Sequence, residues 1–309
     1  MSAITPLSPV PTVPPVASSA ATQPNRTRWQ RWRAIWYILR HSPLALAGTL
    51  IVALFLLMAL IGPLVAPYSP VDATGGKQEA PSLAHLFGTD NLSRDVFSRI
   101  IIGSRDIISL AGFGTLAAVT IGTALGLIVA YQGGWLDDLF NRLFDSLLAL
   151  PATLLALLLV GAVGPSRESV LIVIVVVYVP IVARVVRSVV LDVKTRGFVE
   201  AAKMRGENYL YILTREILPN VLPALVVEAS LRFAYAIFLV ATLGFLGIGV
   251  QPPSPDWGLQ VAAAENYWSS AWWMLAFPCA AIAILIVGVN LMSDGLRQIL
   301  QVGALRDQG

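Results

Sequence analysis

The sequence predicts an all-α integral membrane protein with six transmembrane helices, and three observations carry that expectation. Only 13% of the 309 residues are charged, against roughly 25% in a soluble domain. Hydrophobic residues make up 56%, and mean hydropathy is +0.73. The apolar residues gather into runs long enough to cross a hydrocarbon core of roughly 30 Å at about 1.5 Å per residue. The same runs exclude a barrel, whose strands are about ten residues long and alternate.

Residues 1–25 are rich in Pro, Ser, Thr and Ala and carry no charged side chain. They lack the basic start and apolar core of a secretory signal, so residues 1–40 read as a disordered tail ending in a basic juxtamembrane segment. The first span is expected over Leu44–Ala66, between "HSP" and "APYSP". The second covers Ile107–Tyr131, where Gly112, Gly114, Gly122 and Gly126 mark a bundle-core helix open to close packing. The third, Leu143–Val163, contains Pro151, and the fourth, Val170–Val190, contains Pro180. Interior prolines are tolerated in membrane helices because neighbours re-satisfy the freed carbonyls. The fifth covers Val221–Gly247 and the sixth Trp272–Met292, leaving a tail at 301–309.

Orientation follows from Lys and Arg. With an even number of spans both termini share a side. That side holds fifteen basic residues, among them Arg26, Arg28, Arg31, Arg33 and Arg40 before the first span. The opposite side holds five (Lys77, Arg94, Arg99, Arg105 and Arg167), and Arg232 lies within span five. The asymmetry predicts cytoplasmic N- and C-termini, external loops at 67–104 and 249–271, and a cytoplasmic loop at 192–220. His41 and His85 read as interfacial or loop residues. The single cysteine, Cys279, lies in an apolar run and offers no disulfide framework or Cys-based metal site.

In the first external loop, "TDNLSRDVFSRIIIG" places Val96, Phe97, Ile100 and Ile101 on one helical face, opposite Arg94, Asp95, Ser98 and Arg99. The pattern predicts a short amphipathic helix at the outer interface, with Thr89 or Asp90 as its cap. It serves equally as a gate or as an ordinary helix packed on the bundle.

The cytoplasmic "FVEAAKMRGENYLYILTREILPN" (Phe198–Asn220) is the charged interruption between apolar runs. Phe198, Ala201 and Ala202 fall at i, i+3 and i+4, an apolar edge with small residues suited to a cleft. Gly206 lacks a Cβ and can end one helix and turn into the next. Two short helices about a glycine hinge make either a docking element or a surface hairpin, and periodicity alone leaves both open. Within span five, Glu228 and Arg232 stand four apart on one face and can neutralise each other. They form either a structural pair or part of a translocation path. Arg142 and Asp145, three apart, read as an interfacial pair.

These residues carry a family resemblance. "EAAKMRGENYLYILTREILPN" resembles the EAA loop of ABC importer permeases, with Glu200, Ala201, Ala202, Gly206, Leu218 and Pro219 matching the pattern. "FGTDNLSRDVFSRIIIGSR" (with Gly88, Thr89, Asp90, Arg94, Asp95 and Arg99), "GFLGIGVQPPSPDWG" and "NLMSDGLRQIL" are similar to the dipeptide, oligopeptide and nickel group, C-type subunit. Ser93 stands where that group usually has Gly, Glu216 where it has His or Ile, and Cys279 where Gly is common. The resemblance implies the type I importer permease architecture. It makes Phe198–Asn220 the coupling segment seated on a cytoplasmic ATPase. The implied partners are a B-type permease, two ATPase subunits, an external substrate-binding protein, a di- or oligopeptide and membrane lipid, and no nucleic acid. Nickel chelates, glutathione and haem are alternative substrates. ATP and Mg would sit on the ATPase subunits, with no cofactor in this chain. Accordingly, no G-x-x-x-x-G-K-[ST] loop occurs: Gly76-Lys77 has Val71 at the first glycine position. An ion-coupled secondary transporter is the rival class. It would place several acidic or His relays in the spans, where only Glu228 lies deep.

Overall fold

The computed structural model describes residues 42–306. The tail 1–40 with its five arginines, His41, and residues 307–309 lie outside them. Helix α1 (Pro43–Val65) opens at Ser42, whose hydroxyl accepts from the Ala45 N–H, and Pro43 occupies the first turn, where a missing donor costs nothing. Its buried residues Ala45, Gly48, Val52, Phe55, Ala59 and Gly62 recur at helical spacing. Leu50, Leu60 and Leu64 on the other face are exposed. One stripe therefore packs on the bundle and the remainder suits lipid.

Helix α2 (Val96–Gln132) is 37 residues long, about 55 Å at the standard rise. The short interfacial helix expected over the SRDVFSR segment is instead the first turns of α2. Its polar face does not meet solvent: Ser98 is 0% and Arg99 3% exposed, because the 66–95 loop folds back over it. Asp95, not Thr89 or Asp90, caps the start by accepting from the Ser98 N–H at 2.7 Å. Further along, Gly114, Gly122 and Gly126 admit α5 (Arg167–Val193). A Cβ there would fall 2.7 Å from Ile174, 2.8 Å from Val182 and 2.8 Å from Val186. Such packing, rather than hydrophobic transfer, holds helices together where the surroundings are themselves apolar.

The expected third span is not one helix. Helix α3 (Gly134–Leu148) and α4 (Ala152–Val163) meet at 92° around Pro151. Proline cannot supply the helical hydrogen bond and pushes the residue before it away from helical geometry. Helix α4 has 12 residues, about 18 Å, too short to cross alone. Helix α3 is tied to α5 by charge. Arg187 grips Asp137 at two points, both 2.6 Å, and Asp145 pairs with Arg184 rather than with the expected Arg142.

Helix α6 (Gly197–Met204) is short. Helix α7 (Tyr209–Phe245) and α9 (Trp273–Arg306) are long, and α8 (Trp257–Ala264) lies in the connection between them. Among the described residues five helices (α1, α2, α5, α7, α9) are long and apolar enough to span, and the number rises to six when the bent pair α3–α4 is taken as one span. Among the described residues the only β pairing is a single bridge, Thr89 with Asp95. The main core runs along the bundle around Ile107, Ile174, Ile237, Leu243 and Leu285. A second cluster, at the α6 end, joins Leu127, Val186 and Val190 to Val199, Ala202, Ile212 and Ile217.

Candidate functional site

The α6 end is built on a glycine turn. Gly206 has φ +77° and nothing within 4 Å of the position its Cβ would take. Conformation, not crowding, therefore requires glycine there. Its N–H donates to the Lys203 carbonyl and the Glu207 N–H reaches the Ala202 carbonyl, the paired bonds of a Schellman cap. Asn208 then starts α7 by accepting from the Tyr211 N–H at 2.7 Å. The expected second short helix does not end before span five: α7 continues into it through a π-helical turn at Ile212–Ile217. There the Leu218 N–H bonds to the Leu213 carbonyl, just before Pro219, which has no donor, and the Asn220 side chain satisfies the Glu216 carbonyl.

The expected apolar edge of α6 divides. Ala202 is 0% exposed and, with Val199, packs inward on the second cluster, whereas Phe198 is 38% exposed and Ala201 half-buried. The outward face is Phe198, Glu200, Lys203 and Met204. Arg205 lies between Glu207 and Glu216, 3.6 Å from each, so the Glu216 departure has an internal partner. Leu218 is half-buried and Pro219 exposed. Sequence reasoning missed the clasp that joins this segment to the end of α2. Lys194 Nζ donates to the Ala130 carbonyl at 2.8 Å, Tyr209 packs edge-on against Tyr131, and Lys203 sits 5.3 Å from the Tyr131 ring centroid. Tyrosines bracketing the span end were the available signal.

At the opposite end the first-loop residues form one network. Asp90 Oδ1 accepts from the Leu92 and Arg94 N–H groups, and its Oδ2 meets Arg94 Nε at 2.7 Å and Arg99 Nε at 3.9 Å. Arg99 donates to the carbonyls of Pro70 and Ser254, joining the first loop to the second. The Thr89 hydroxyl bridges Gly76 and Glu79, Asp95 holds His85 at 2.9 Å, and the Gly88 N–H bonds to the His85 carbonyl. Ser93 has φ +65°, the left-handed geometry that favours glycine, the residue usual in the resembled group. A cavity of about 400 Å³ opens between the loops, lined by Asp90, Arg94, Arg99, Ser254 and Gln260 among others.

The second loop is bolted to the bundle by Trp257, which is 0% exposed, donates to the Ile100 carbonyl at 3.0 Å and stacks edge-on against Phe55. Gly103 and Gly244 leave the room: Cβ atoms there would lie 2.2 Å from the Pro255 carbonyl and the Asp256 carboxylate. Asp256 caps α8 through the Leu259 N–H. Burial pushes its carboxyl up to about 6, opposed by that N–H and reinforced by neighbouring Asp106. Asp106 itself accepts from Ser254 Oγ at 2.7 Å and pairs with Arg167. Nothing in the sequence spacing linked Asp106, Arg167 and Asp256, which come from three elements.

Deep in α7, Glu228 and Arg232 do meet, Oε1 to Nε at 2.8 Å. Among the described residues neither of those atoms has an aligned hydrogen-bond partner, so the contact is chiefly Coulombic. The structure thus holds three separate constellations, one at each end of the bundle and one between.

A family model described as binding-protein-dependent transport system inner membrane component matches residues 122–303. The chain belongs to this family. A second model, the N-terminal TM domain of oligopeptide transport permease C, matches residues 30–83 of the permease. The permease is 40% identical over 270 residues to the dipeptide transport system permease protein DppC of Alkalihalophilus pseudofirmus, covering 87% of this chain and 89% of that protein. It is 40% identical over 286 residues to the probable D,D-dipeptide transport system permease protein DdpC of Escherichia coli, covering 92% and 95%. To the glutathione transport system permease protein GsiD of Pectobacterium atrosepticum it is 36% identical over 271 residues, covering 87% and 90%. It is thus a multi-pass inner-membrane permease component of a binding-protein-dependent importer.

Proposed function

We propose that this permease forms, with a B-type permease, the path by which an importer takes up di- or oligopeptides. The work would come from ATP hydrolysis, with its Mg, on two separate cytoplasmic ATPase subunits, after delivery by an external binding protein. The observation that carries the coupling role is the division of α6. Val199 and Ala202 anchor it to α2, α5 and α7, while Phe198, Glu200, Lys203 and Met204 face outward at the bundle end. A partner pressing on that outward face moves α7 directly, because the Schellman turn and the π-helical segment leave no slack loop between them. The fifteen-to-five charge asymmetry supports a cytoplasmic position for this end.

Peptides are favoured because relatives at 40% identity are dipeptide permeases. A glutathione permease at 36% is the observation favouring a second reading, uptake of a modified tripeptide. Uptake of labelled dialanine and of glutathione, in cells carrying the complete importer or lacking this chain, separates them. Chain-dependent accumulation of dialanine supports the first reading, and accumulation of glutathione alone replaces it with the second.

A further inference from the structure

We propose that Glu228 and Arg232 form an exchangeable ion pair that receives the two charged ends of a zwitterionic ligand, its ammonium on Glu228 and its carboxylate on Arg232. The inference rests on the peptide-uptake reading and names the feature of the peptide that the membrane segment recognises.

The pair is held by one contact, Nε to Oε1 at 2.8 Å, with no aligned hydrogen-bond partner for either atom among the described residues. A purely structural ion pair in a low-dielectric interior needs its remaining donors and acceptors satisfied to offset desolvation. This one is compensated by a single Coulombic contact, so it opens without stranding a buried charge only when a ligand brings both opposite charges with it. The side chains retain 14% and 11% exposure, so the pair is not sealed. Tyr235, 54% exposed, and Phe238, 60% exposed, place it at the border of an uncovered face of α7.

The surroundings suit exchange. The Arg232 guanidinium carbon lies 4.9 Å from the Tyr235 ring centroid and 5.7 Å from that of Tyr178. Ring faces at that range hold a cation by their quadrupole, so Arg232 stays in place when its carboxylate partner changes. Side chains four apart on a helix stand about 5–6 Å from each other at Cβ. A dipeptide, extended at roughly 3.3–3.6 Å per residue, carries its two charges across a comparable span. A zwitterion replaces each internal partner with one of the same sign. The site is therefore neutral when empty and when occupied, and no unpaired charge enters the apolar region.

The test uses cells carrying the complete importer with this chain as wild type, as Glu228→Arg/Arg232→Glu, or as Glu228→Gln/Arg232→Met. The first variant keeps a neutral pair at the same spacing but sets a carboxylate in place of the guanidinium against the Tyr178 and Tyr235 rings, and the second replaces the pair with neutral side chains of similar size. Both should assemble with the partner subunits as wild type does. Dialanine uptake should fall about ten- to a hundredfold, the loss expected for a charge-assisted hydrogen bond. The half-saturating concentration, set by the external binding protein, should not move. Wild-type uptake in both assembled variants would make the pair packing alone and overturn the proposal, as would failure of both to assemble. Wild-type cells that exclude dialanine would overturn the peptide reading instead.

Discussion

The N–H of Glu207 donates to the carbonyl of Ala202 at 3.2 Å, closing α6 across Gly206. This bond exists only because Gly206 takes φ +77°. An L-residue there pays about 1–2 kcal/mol for the left-handed conformation, and a β-branched one is the worst placed. Gly206→Val should therefore break the cap without touching the spans, and Gly206→Asn, which tolerates this geometry, should be mild. The measurement is ATPase activity of the reconstituted importer with and without loaded binding protein. Normal stimulation in Gly206→Val would remove the turn from the coupling argument.

Ala201 and Ala202 are neighbours with opposite duties, and aspartate separates them. At Ala202 a carboxylate would enter a fully buried apolar cluster. Ala202→Asp should cost several kcal/mol and lower the amount of chain in membranes on immunoblots. Ala201→Asp, on a half-buried position at the outer edge, should leave abundance near wild type and reduce ATPase stimulation. Equal abundance of both variants would contradict the inward packing of Ala202.

Asp256 makes stability depend on pH. Its folded value of about 6 lies above its ordinary value of 3.8. Between those values the unfolded chain has lost its proton while the folded chain keeps it, so stability falls as pH rises through that window. Above it the cost is constant, at most about 3 kcal/mol. Asp256→Asn should raise the thermal midpoint of the purified importer at pH 8 and leave it unchanged at pH 4. A difference of the same size at both pH values would mean that the buried carboxyl is not the cause.

Sidedness is open to direct labelling. In a Cys279→Ala background, cysteine at Leu83, which is 98% exposed, should react with an impermeant thiol reagent in intact cells. Cysteine at Asp192, whose side chain is 67% exposed at the other end and lies outside α6, should react only after permeabilisation. The reverse pattern would invert the orientation drawn from the basic residues.

The sequence by itself determined the helical class and the apolar runs. A chain segment in lipid must satisfy every backbone group internally, and a run of about twenty apolar residues has one way to do so. It also determined the Gly114–Gly122–Gly126 face of α2 and the turn at Gly206, because absence of a Cβ is a local property. Tertiary structure decided what depended on partners distant in the chain. Polar stretches at Val96–Ser104 and Tyr209–Asn220 belong to the long helices α2 and α7: hydropathy marks where lipid ends, whereas helical hydrogen bonding continues wherever neighbours cover the polar side chains. Pro151 bends its span by 92° while Pro180 leaves α5 continuous, a difference that local proline chemistry does not contain. Asp145 finds Arg184 instead of Arg142, and Asp256 meets Asp106 across the loop, because Coulomb attraction and desolvation act through space and take no account of sequence distance.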